Sequence, residues 1–222
     1  MNVVLENLGP ILEAFWSTVL LSVASAIGAL VLGTLLAGMR VSPVPVLRAS
    51  GTLYVNTMRN TPLTLVLLFC GLGLGNTLGL KFSETVTVNS YWLAVVGLSA
   101  YTASFVCESL RAGINTVPMG QAEAARSVGL TFGQTMTTII LPQAFRSVVG
   151  PLGSVLIALI KNTTIASLIG VAEAAASMRT LIEFNGNAVI PIFIGFALGF
   201  MVLTLPTGFL FGWLSKRLAV AR

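Results

Sequence analysis

Lys161 is the residue of this chain whose place most demands a chemical explanation. It follows the uncharged run 147–160, precedes the uncharged run 162–172, and is trailed directly by Asn162, Thr163 and Thr164. A lysine at the centre of a membrane-crossing helix costs about 2.5–3.5 kcal/mol on insertion scales, so it faces a protein interior or a water-filled path. At 1.5 Å per residue it stands about 22 Å beyond Arg146, in the outer half of a bilayer whose inner edge Arg146 marks. Lys161, Asn162, Thr163 and Thr164 are therefore candidates to line the path of a polar solute. An ion pair with Glu173, or a cap on a broken helix, accounts for the same lysine equally well, because intramembrane charges often pair with one another. A second polar set, Arg59, Asn60, Thr61 and Pro62, opens another apolar run. Pro62 suits a first helical turn. The set reads first as structural, with Asn60 and Thr61 as further path candidates, since half-helix termini bind ligand groups in transporters. Glu108 and Arg111, three apart, share a helix face and read as a structural pair at the membrane edge.

What is missing narrows the chemistry. The chain has no histidine, which removes imidazole catalysis, histidine metal sites and histidine pH switching. Cys70 and Cys107 lie in apolar runs without metal spacing and read as small buried hydrophobes. No nucleophile–base or metal constellation falls within an apolar run, so a membrane-embedded enzyme is disfavoured and no catalytic or metal residue is expected. An ion channel or ion-coupled secondary transporter, working without any ATPase, is the competing class. It would need a ring or relay of intramembrane carboxylates, and Glu108 alone comes near that.

The elements that carry these residues are membrane spans. Hydrophobic residues make up 55% of the 222 and charged residues 9%, against about 25% charged in soluble domains. A chain this short cannot hide so much apolar surface inside itself, and its mean hydropathy is +0.94. About 20 apolar residues cross a bilayer as a helix. The charge-free runs predict spans at about 14–38, 61–80, 91–110, 145–169 and 190–213, the fourth containing the polar interruption 161–164. Such an interruption must face protein or a cavity, since lipid leaves no backbone group a partner. The start of the chain carries Glu6 and Glu13 without a basic residue, so the first apolar run reads as a retained span and not as a secretory signal. Five spans put the termini on opposite sides. Arg40, Arg48, Arg59, Arg111, Arg126, Arg146, Lys216, Arg217 and Arg222 fall on one face, and Lys81 and Arg179 with five glutamates on the other. The positive-inside rule makes the basic face cytoplasmic, with the N-terminus outside and the C-terminus inside. This distribution accounts for the net charge of +5 without nucleic acid. No linker or convincing repeat divides the chain, so 1–222 reads as one all-α transmembrane domain.

The cytoplasmic loop 115–142 between spans 3 and 4 holds the most specific motif, EAARSVGLTFGQTMTTIILP at 123–142. Ala122, Glu123, Ala124, Ala125 and Arg126 are mostly strong helix formers with small side chains. Pro118 suits the first turn, and Gly129 permits the turn that ends a slim helix. An ordinary amphipathic loop helix is the plain alternative. The spacing of Glu123, Ala124, Ala125, Gly129, Ile139, Leu141 and Pro142 resembles the EAA loop of importer-type ABC permeases. RNTPLTLV at 59–66, ESLRAGI at 108–114, LPQAFR at 141–146 and KNTTIAS at 161–167 are similar to segments of the histidine/glutamine/glutamate group of those permeases. NTMRNTPLTLVLLFC and GQAEAARSVGL look most like actinobacterial glutamate-uptake permeases. The resemblance implies a five-helix core in a bacterial cell membrane and a second homologous permease subunit, a different chain in preference to a second copy. It also implies an ATPase dimer beneath, an extracellular solute-binding protein and an amino acid substrate. Glu123, Ala124, Ala125, Arg126 and Gly129 would then couple to the ATPase, and a cation at Lys161 would suit an acidic amino acid. The chain lacks G-x-x-x-x-G-K-[ST], so ATP and magnesium belong on the partner chains and no cofactor is expected on this one.

Overall fold

Long apolar stretches without an interior break become long helices, and loops form where proline, glycine or charge interrupts them. The computed structural model describes residues 2–218, and among these no strand occurs. The helices are α1 (Asn2–Glu6), α2 (Leu8–Val41), α3 (Pro45–Asn60), α4 (Leu63–Leu68), α5 (Val86–Ile114), α6 (Met119–Ser127), α7 (Phe132–Thr135), α8 (Leu141–Asn162), α9 (Ala174–Phe184) and α10 (Val189–Leu218). α4 continues as a π-helix over Phe69–Thr77, α7 as a π-helix over Met136–Ile140, and α8 as a 3-10 helix over Thr163–Ile169. Four segments are long and apolar enough to cross a membrane: Leu8–Val41, Val86–Ile114, Phe132–Ile169 and Gly186–Leu218. A fifth is made if α3 and Leu63–Thr77 are taken as one span, bent by 104° at Thr61–Pro62.

α5 is the central strut. It carries Leu93, Ala94, Val95, Leu98, Ala103, Val106 and Cys107 into the core, where α2, α4 and the 3-10 segment close around it. The close contacts fix helix directions. A Cβ on Gly28 would meet Ser99 and one on Gly33 would meet Val106, so α2 and α5 run parallel. Gly97 faces Leu67 and Cys70 while Gly75 faces Leu93, so the α4 segment runs antiparallel to α5. Gly150 faces Ser215 and Gly153 faces Phe211, which makes α8 and α10 antiparallel. α2 exposes Trp16, Val23, Ile27, Val31 and Leu35, and α10 exposes Phe193, Val202 and Phe209. Apolar side chains left outward on both helices are what a lipid-facing surface requires.

The predicted spans fall on these helices with shifted bounds. Spans 1, 3 and 5 extend beyond 14–38, 91–110 and 190–213, because helical hydrogen bonding carries past the apolar core into flanking polar turns. The larger correction concerns the second. The stretch before Asn60, expected as loop, is the amphipathic helix α3, and span 2 ends at Thr77, short of residue 80. Pro62 and Pro118 stand at the N-cap positions of α4 and α6, one residue ahead of the first helical turn where they were expected. Loop 115–142 is largely helical, and the fourth apolar segment begins at Phe132, ahead of residue 145. Arg222, counted in the cytoplasmic tail, lies outside the described residues.

Candidate coupling helix and solute path

α6 owes its shape to a few residues of the motif. Glu123, Ala124 and Arg126 are exposed along it, while Ala125 is buried against the rest of the chain. Gly129 takes φ +85°, in the left-handed region that glycine tolerates. The Leu130 N–H then donates to Ala125 O at 3.1 Å and the Gly129 N–H to Arg126 O at 3.0 Å. That pair of bonds is a Schellman termination, which satisfies carbonyls the helix end would otherwise leave open. Thr131 follows with a reciprocal capping box to Gln134, starting α7. Pro142 has no N–H to give, and its ring would press on the carbonyl four residues back. The widened π-turn over Met136–Ile140 removes that conflict, with the Leu141 N–H donating to Met136 O. A bond from the Gln143 side-chain amide to Gln121 Oε1 ties α6 to the start of α8.

Lys161 is exposed in the last turn of α8, where a cation suits the helix dipole. It closes an exposed row on that helix formed by Ser147, Pro151, Ser154 and Ala158. Among the described residues it makes no ion pair, and the pairing with Glu173 is not found. The interruption at 161–164 is a tightening into 3-10 geometry and not a break. Thr163 and Thr164 hydroxyls donate to Ile160 O and Lys161 O at 2.7 and 2.8 Å, satisfying the carbonyls there. Thr163 is buried and Asn162 half-buried. Thr164 lines a cavity of about 510 Å³ with Thr64, Arg179 and the aromatic walls Phe193, Phe196 and Phe200. Asn60 and Thr61 lie one turn before Thr64 and bond back to Asn56 O and Thr57 O, each at 2.8 Å. α4 packs on the 3-10 segment, but of the six path candidates Thr164 alone lines this cavity, and no hydrogen bond joins the two sets among the described residues.

Three charged features escaped the sequence. Arg179, read only as an outer-face charge, enters the cavity and donates to Ser167 Oγ. Glu173 is fully buried and caps α9, accepting from Ala175 N at 2.8 Å and Ala176 N at 2.9 Å. The Thr18 hydroxyl accepts from Ala174 N at 3.0 Å, which pins this cap to α2. Burial pushes the Glu173 carboxyl up to about 7, against the lowering effect of the two amides and Arg179. Glu108 pairs with Arg111 at 3.2 Å, as its spacing predicts, but also with Arg40 and, at 3.6 Å, with Arg59. Spacing along one helix could not reveal partners contributed by α2 and α3.

A bundle of long helices with apolar side chains outward, and a short exposed helix between α5 and α8, fits a membrane transport component. Residues 29–220 match the family of binding-protein-dependent transport system inner membrane components, and the chain belongs to that family. It is 56% identical over its full length, and the full length of the relative, to the glutamate transport system permease protein GluC of Corynebacterium glutamicum. It is 36% identical to the probable glutamine ABC transporter permease protein GlnM of Bacillus subtilis, over 98% of this chain and 97% of that one. Among solved structures it is similar to an amino acid ABC transporter crystallised with histidines, at TM-score 0.85 and 26% identity, covering 96% of each chain.

Proposed function

We propose that this chain is the membrane-spanning permease subunit of an ATP-driven importer for glutamate. The observation that carries the reading is α6: a nine-residue helix closed at its C-terminal end by its own capping bonds, with Glu123, Ala124 and Arg126 outward. A slim, exposed, pre-terminated helix suits a groove on a separate ATPase, and its bond to α8 would transmit movement to the spans. ATP binding would close the ATPase dimer, carry α6 with it and open the path outward to a solute-binding protein. Hydrolysis would reset it. No bond of the solute changes, so hydrolysis belongs to the partner chains.

The parallel run of α2 and α5, with the antiparallel α4 segment between them in sequence, supports five spans with the N-terminus outside. Arg40, Arg59, Arg111 and Arg126 then gather at the α6 end, as a cytoplasmic face requires. Lys161 lies at the opposite end of α8 from Arg146. Its exposure on a membrane helix calls for an aqueous path or a second permease subunit beside it. We place Lys161, with Asn162, Thr163, Thr164, Asn60 and Thr61, along the route of the substrate carboxylates.

The test is uptake of labelled glutamate by the complete complex in proteoliposomes. Lys161→Met is expected to lower uptake about tenfold or more, the size of a lost hydrogen bond to a charged group, while the ATPase still co-purifies. Glu123→Lys together with Ala124→Trp is expected to release the ATPase. Uptake that persists with the ATPase omitted, or an ATPase still bound to the double variant, would refute the reading.

A further inference from the structure

One carboxylate serves three guanidinium groups where α2, α3 and α5 meet. Glu108 bonds Arg40, which is 10% exposed, and also pairs with Arg111 and Arg59, which are 39% and 44% exposed. Arg59 is further held 5.8 Å over the Phe105 ring. The cluster keeps a surplus of two positive charges, and Arg111 Nε is buried without an acceptor. Among the described residues no second acid joins it: Glu84 pairs with Lys81, Glu173 caps α9, and Glu123 stands outward on α6. The cluster therefore offers half-exposed guanidiniums to an anion from outside this chain.

α3 indicates what that anion is. It turns 104° away from Leu63–Thr77, and that segment runs alongside α5, so α3 lies across the spans and not along them. Its inner face, Gly51 and Val55, is buried against α2 and α5. Its outer surface carries Arg48, Thr52, Asn56 and Arg59 in one row at helical spacing, without an acidic residue. Beside that row Val46 and Leu53 are 72% and 70% exposed. A basic row flanked by bare apolar side chains on a helix lying across the spans is the pattern of an interfacial helix on anionic lipid.

We infer that α3, with Arg48 and Arg59 about 16 Å apart along it and Arg111 beside Arg59, binds anionic phospholipid headgroups in the leaflet next to α6. A phosphate at Arg59 and Arg111 completes the charge balance around Glu108, a second sits at Arg48, and Val46 and Leu53 sit against the upper acyl chains. An acidic surface on a protein partner would satisfy the arginines but not the two apolar side chains.

The test is native mass spectrometry of the complete transporter complex titrated with phosphatidylglycerol or phosphatidylcholine. The wild type is expected to retain phosphatidylglycerol preferentially. Arg48→Gln, which removes no side-chain contact described within the chain, is expected to weaken that retention about fivefold. Arg48→Gln with Arg59→Gln is expected to weaken it about thirty-fold, at one near-surface charge each. Arg48→Lys with Arg59→Lys restores most of it. Equal retention of the two lipids, or an unchanged double Gln variant, overturns the inference. A double variant that sheds a partner chain while keeping its phosphatidylglycerol overturns it too, assigning the row to a protein interface.

Discussion

Glu173 concentrates several energies in one side chain. Removing a carboxylate from water favours its neutral form, while the two amides it accepts from favour the ion. With its pKa raised to about 7 in the folded protein, against an ordinary 4.5, the folded state holds a proton that the unfolded state has released between those values. Stability therefore falls as pH rises from about 4.5 to about 7 and levels off above, by roughly 1–3 kcal/mol. Glu173→Gln keeps a side-chain acceptor for α9 and is expected to flatten that dependence in a thermal-unfolding series. A wild-type series without the decline would remove the buried acid from this role. The residue was not legible as a cap in the sequence. Helix N-caps are usually Ser, Thr, Asp or Asn, and the apolar context that makes this one costly is assembled by α2 from far along the chain.

At the level of elements, α6 was the most legible and α3 the least. The motif encodes α6 locally: small helix formers, then Gly129 where a left-handed residue is needed. No neighbouring atom lies within 4 Å of a Cβ built on Gly129, so substitution there tests backbone strain alone. Gly129→Ala is expected to destabilise the end of α6 by about 1–2 kcal/mol, and Gly129→Val by more. Faster backbone hydrogen exchange at Leu130 in the variants, with the spans unchanged, would record it. Exchange identical to wild type would mean α6 ends by some other means. α3 was missed because its mixed composition gives neither a charge-free run nor a motif. Its helicity shows once the period of Gly51 and Val55 is matched to the surfaces of α2 and α5 that they meet. The polar tract at 161–164 was legible as an interruption within one span, but its form was not. Three hydroxyls, on Thr163, Thr164 and Ser167, return to nearby carbonyls and let the helix tighten.

Across the whole molecule, the proposed five-span path puts Ser83 and Ser127, beyond the two ends of α5, on opposite sides of the membrane. A cysteine at Ser127 is expected to react with a membrane-impermeant maleimide only from the ATPase side, and one at Ser83 only from the other. A background lacking Cys70 and Cys107, both buried, keeps the readout clean. Labelling of both from one side would rule out the five-span path. The arginine cage around Glu108 also weighs against ion coupling, because a carboxylate held by three guanidiniums is a poor proton or sodium relay. The bend at Thr61–Pro62 has an electrical consequence. Leu63–Thr77 rises no more than about 22 Å at 1.5 Å per residue, against about 30 Å of hydrocarbon. On the proposed route past Asn60 and Thr61, the insulating layer would be thin beside that segment and the resting voltage would drop over a shorter distance. The local field would be steeper there, and an anion entering a negatively charged cell would climb much of its voltage hill, about 2.3 kcal/mol per 100 mV, along this one short helix.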